Sequence, residues 1–179
     1  GTVSEPRLGA PWPRLVDQNV AGEWIGFSAG DVGVCAISLE HRAWCWGRAT
    51  RGRLPHVPES QIAARPVAID GLPAVSSVAS GDALACAVTD LAETYCWGGR
   101  SLETDAAVIA PERIALPAAT RSVHAGGSAA CAVLVDGTDH CWGAFRAAVA
   151  HPEDHLPRPI DLGDTWAQPV LIARDVTAL

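Results

Sequence analysis

The run "ASGDALACAVTDLAETYCWGG" at residues 79–99 contains a glycine, a cysteine five residues on, a second cysteine ten residues later, and then Trp-Gly. The same frame occurs twice more. Cys35, Cys86 and Cys131 each stand five residues after Gly30, Gly81 and Gly126. Cys45, Cys96 and Cys141 follow by ten, and Trp46-Gly47, Trp97-Gly98 and Trp142-Gly143 come directly behind. All six cysteines are used. Ala36, Ala87 and Ala132 follow the first cysteine, and Ala29, Ser80 and Ala125 precede the glycine, so these strands are confined to small side chains.

Upstream of each glycine lies an apolar segment, "EWIGFSAG", "AVSSVASG" and "RSVHAGG", and further upstream a proline-led one, "PWPRLV", "RPVAI", "PERIAL" and, for a fourth unit, "PRPIDL". Each unit offers about four runs of strand length, and the first cysteines are 51 and 45 residues apart. A period of this size with four strands per unit indicates propeller blades. The units cover about residues 12–47, 66–98 and 111–143, with part of a fourth at 157–179. Seventeen glycines and thirteen prolines interrupt any helical period. Only "SLETDAAVIA" at 101–110 has room for a short helical turn.

The frame of glycine, small apolar strand, turn and aromatic-x-Trp-Gly is similar to the repeat of the regulator-of-chromosome-condensation-like (RCC1-like) family. The "GQLG"-type segment of that family is echoed only by "RGRLPH" at 51–56. The resemblance implies an all-β fold of RCC1-like β-propeller blades. It also implies an interaction role, since such domains serve as exchange surfaces, enzyme inhibitors and scaffolds. Three blades and a fragment fall short of the roughly four to eight of closed propellers. A half propeller completed by a protein partner or a second copy is therefore expected, with the strand at Val176–Leu179 joining a blade shared with the other chain.

A cysteine ten residues before another, with a turn midway, places the two across a hairpin. In "CAVLVDGTDHC" the turn centres on Asp136-Gly137, which suits glycine in a left-handed position. His41 and Ala92 hold that column elsewhere and adopt the conformation less readily, so differently shaped turns are expected there. Disulfides, buried thiols and metal ligands all compete for the cysteines. Zinc favours closely spaced clusters of four ligands, whereas one fixed spacing for every pair favours Cys35–Cys45, Cys86–Cys96 and Cys131–Cys141 as bridges. Each would contribute about 2–3 kcal/mol in the chain-entropy model. Bridges imply a secreted, periplasmic or cell-surface location. Trp46, Trp97 and Trp142 face away from the neighbouring cysteine and are expected to pack between adjacent blades.

At 179 residues, 49% hydrophobic and 18% charged, the chain is long enough for one globular core. Its net charge of −7 makes nucleic acid and anionic membrane poor partners, and no apolar run approaches the roughly 20 residues of a membrane span. Neither a catalytic motif nor a cofactor site is recognisable among His41, His56, His124, His140, His151 and His155. An enzyme or metal-dependent protein would have to use "HPEDH" at 151–155, which reads more simply as a solvated loop, and a structural cell-surface component is the other alternative to an interaction module. Asp31 and Asp82, after the repeat glycine, are expected to cap turns.

Overall fold

The computed structural model describes residues 23–99 and 110–144 and three further strands at 146–150, 157–161 and 170–174. The segments 101–109, 151–155 and 176–179 singled out above lie outside the described residues. The described residues are all-β, with no helix long and apolar enough to cross a membrane. Fourteen strands build three four-stranded antiparallel blades and one hairpin.

Blade one runs β1 (Trp24–Gly30), β2 (Gly33–Ser38), β3 (Ala43–Arg48) and β4 (Ile62–Ala68), in that spatial order. Blade two repeats it with β5 (Val75–Ser80), β6 (Leu84–Thr89), β7 (Thr94–Gly98) and the short β8 (Glu112–Arg113). In blade three, β9 (Thr120–Gly126), β10 (Ser128–Leu134) and β11 (Thr138–Ala144) take the first three places. "RPVAI" and "PERIAL" thus supply the outer strands of the first two blades, while "PWPRLV" lies outside the described residues. The third departs from this. "PRPIDL" supplies β13 (Pro157–Asp161), which pairs with β12 (Arg146–Ala150) in a separate hairpin, while β14 (Val170–Arg174) pairs with β11 as the fourth strand. Residues 170–174, "VLIAR", follow Pro169 much as "VAI" follows Pro66, so a proline-led apolar segment still fills the outer place.

The central hairpins keep one register. Cys35 faces Cys45, Cys86 faces Cys96 and Cys131 faces Cys141, with Cα atoms 4.1, 4.0 and 4.0 Å apart and all three disulfides formed. Directly opposed residues at a non-hydrogen-bonded site come close enough for this. The turns are alike in all three blades, contrary to expectation. His41, Ala92 and Gly137 all have positive φ, of 59°, 58° and 81°, and their N–H groups bond to the carbonyls of Ser38, Thr89 and Leu134. A further bond explains why the shape persists at a steric cost. The His41 and Ala92 carbonyls accept from the N–H of Val75 and Thr120, the first residues of the next blade.

Strand alternation gives each blade two apolar faces, one toward the blade before and one toward the blade after. Cys35, Ile37, Cys45 and Leu54 of blade one meet Val75, Ala85, Ala87 and Trp97 of blade two in one core. Cys86, Val88 and Cys96 of blade two meet Val123, Ala130, Ala132 and Trp142 of blade three in the other. Cysteines therefore point forward and tryptophans backward at every junction.

Candidate functional site

Tryptophan burial follows from that alternation. Trp97 and Trp142 are 0% and 1% exposed because a preceding blade covers each. Trp46 points the same way from blade one and is only half-buried. It gathers with Trp24, at a ring-centroid distance of 5.9 Å, and with Phe27 at 6.5 Å, while Trp44 stands edge-on to Trp24 at 6.3 Å. A bulge between Trp24 and Gly26 lets Trp24 share this face with Phe27. Phe27 and Ile25 are 57% and 50% exposed, and the Arg42 guanidinium lies 5.5 Å over the Trp44 ring. The result is an aromatic sheet face without a covering blade among the described residues. Alternation along "EWIGF" alone would set Trp24 and Phe27 on opposite faces, so the bulge hid this face from the sequence.

The junction between blades one and two contains a buried cation that the sequence reading passed over. Arg53, in "RGRLPH", is fully buried. Its Nη2 donates to the carbonyls of Trp46 and Arg48 at 3.2 and 3.0 Å, and its Nη1 to Ser80 Oγ at 3.4 Å. Its own carbonyl accepts from Trp97 Nε1 at 3.1 Å, so one residue joins both blades. Burial lowers its pKa, and the Asp82 charge offsets this in part. The guanidinium occupies space that Gly33 leaves, since a Cβ there would meet Nη2. A glycine with ordinary φ in a strand marks such a close approach, and it is the sign that could have revealed Arg53.

The loop carrying Arg53 also bounds an open cleft of about 410 Å³, lined by Leu54, Val57 and Pro58 with exposed His56 and Glu59. Arg51, His56 and Ser60 hold positive φ here, a backbone strain that recurs at binding loops. Asp82 does not cap its own turn. Its Oδ1 accepts from the Asp31 N–H of the neighbouring blade at 3.2 Å. Elsewhere His41 pairs with Asp90 at 3.3 Å and His124 sits 3.3 Å from Ser122. His140 lies on β11. Among the described residues no three metal-capable side chains converge, and His151 and His155 lie outside those residues.

No family model matches the chain. Over 98 residues it is 33% identical to the regulator of chromosome condensation of Xenopus laevis, a match taking in 55% of this chain and 23% of that protein. The human protein gives 37% over 81 residues, 45% of this chain and 19% of that one. The match thus spans less than a quarter of these relatives. The structure superposes on Prp20p of Saccharomyces cerevisiae with a TM-score of 0.65 at 18% identity, over 85% of this chain and 39% of that one. For human WBSCR16 the TM-score is 0.64 at 16% identity, over 80% and 39%. With the blade order, the stacked tryptophans and these likenesses in agreement, the chain is built of RCC1-like β-propeller blades.

Proposed function

We propose that this chain is a protein-interaction module on a propeller scaffold, acting as a secreted, periplasmic or cell-surface binding or inhibitor-like protein. The observation that carries the reading is the aromatic face of blade one. Exposed, contiguous apolar surface on a folded domain marks an interaction site, and Trp, Phe and Arg are the residues enriched at such sites. A protein of the same fold supports it: yeast RCC1 (Prp20p) has binding properties toward Gsp1p and histones and forms a complex with Kap60. The location rests on three disulfides with no free cysteine among the described residues, a pattern of oxidising compartments. The partner is a separate protein or a second copy completing the propeller.

The test is capture on the immobilised chain from a native extract, beside an Ile25→Ser, Phe27→Ser variant. Both side chains are at least half exposed, so the fold tolerates the change. A protein retained by the native chain and lost from the variant supports the reading. Equal retention on both, or none, defeats it.

A further inference from the structure

We infer that the covering of the aromatic face is the third blade of a second copy of this chain, docked head to tail, so that two copies share one ring. The inference deepens the reading above by naming the occupant of that face. Three features, each seen twice within the chain, are left half-made in matching places on blades one and three.

The first is a main-chain bond. Val75 N–H donates to the His41 carbonyl at 2.8 Å and Thr120 N–H to the Ala92 carbonyl at 2.9 Å, joining each blade to the next. The acceptor in the same place on blade three is the Gly137 carbonyl, and the donor in the same place on blade one is the Trp24 N–H. Neither makes such a bond among the described residues.

The second is a close approach. A Cβ on Gly30 would lie 2.9 Å from the Ser80 carbonyl oxygen, and one on Gly81 would lie 2.8 Å from that of Gly127. At those positions the next blade's backbone excludes any side chain. Gly126 keeps the glycine, yet a Cβ there meets nothing within 4 Å. Its φ is not in the left-handed region, so the local backbone does not require glycine either. The residue fits a neighbour like those of Gly30 and Gly81, namely the inner strand of another blade.

The third is burial. Cys35 and Cys86 are 0% exposed and Ile37 and Val88 only 2% and 3%, each covered by the following blade. Their counterparts Cys131 and Val133 are partly exposed. Trp46 shows the reverse deficit on blade one. Among the described residues both faces lack a cover, and the forward face of one copy offers what the backward face of another lacks. A small, cysteine-bearing surface meets a tryptophan-bearing one, as at both junctions inside the chain. Such a heterologous contact closes when the rotation permits, and the blades described for one copy, taken twice, make six, within the roughly four to eight of closed propellers.

The experiment is sedimentation of the full chain across a range of concentration, for native protein, Gly126→Val and Asp139→Arg. Asp139 shares the forward face, where Ala43 and Thr94 are buried on blades one and two. Native protein should reach a dimer. Either variant should raise the dissociation constant by about 10- to 100-fold, the scale of overpacking a closed interface, with the melting temperature of the monomer unchanged. Asp139→Arg, a change at a partly exposed site, keeps the test decisive if Gly126→Val perturbs folding. A native monomer at every concentration overturns the inference, and so does a dimer that both variants leave intact. Capture of a different protein by the aromatic face would still stand in those cases, so failure here is separable from failure of the interaction reading.

Discussion

His41 and Ala92, in the turn position that Gly137 fills in blade three, show what a single position gives up to keep a blade junction. All three are left-handed, and only glycine reaches that conformation without a steric cost. Ala92→Gly should therefore stabilise the protein by about 1 kcal/mol, net of the added freedom of the unfolded chain. Chemical denaturation measures it, and a loss of stability would show that the turn is not held as described. In blade three the turn has a different support. Thr138 donates to Asp136 Oδ1 from its hydroxyl at 2.7 Å and its N–H at 3.0 Å, and these bonds, hydroxyl first, lower the Asp136 pKa. Because the folded value lies below the unfolded one, this contribution is fully present above the ordinary carboxylate range and fades as pH falls through the lowered value. An NMR titration should find Asp136 below the usual range, and Thr138→Val should bring it back up. An ordinary value in the native protein would mean the turn bonds are absent in solution.

At the scale of strands, identical residues differ in worth according to what covers them. Trp97→Ala removes a fully buried ring that also bonds the Arg53 carbonyl, and should cost about 3–5 kcal/mol. Trp46→Ala, in the same column but half-buried, should cost about 1–2 kcal/mol, chiefly lost aromatic contacts. Equal losses in denaturation would show that the first blade's face is covered after all. The column itself was legible because cysteine spacing, strand alternation and Trp-Gly recur in one frame, and from these the hairpins, the disulfides and the inward tryptophans follow. The difference between Trp46 and Trp97 was not, since burial depends on the neighbouring blade and not on the residue's own strand. Arg53 was hidden for a related reason. Its partners at Trp46, Arg48 and Ser80 lie on other elements, and an arginine in a Gly-rich loop gives no sign of burial. The β12–β13 hairpin escaped because "PRPIDL" matches the other proline-led segments in composition, while its pairing with β12 is a choice of partner that composition does not encode.

Across the whole molecule, stability should be graded from the middle outward. In an array where each unit touches only its neighbours, a unit flanked on both sides gains two interface terms and an end unit one. Among the described residues blade two is the unit flanked on both sides, and its β6 is buried at all six residues. In β1 of blade one, which no described blade precedes, exposed and half-buried residues alternate with none buried. Hydrogen exchange at low protein concentration should accordingly find the β6 amides the slowest, opening only with global unfolding, and β1 among the fastest of the ladder strands. Arg53 and Trp97 tie blade one to blade two, so Arg53→Met should speed exchange in β1 far more than in β10, whose junction with blade two lacks that residue. Uniform protection across β1, β6 and β10 would instead mean that the three blades unfold as one cooperative body, and that the bare aromatic face costs the first blade nothing.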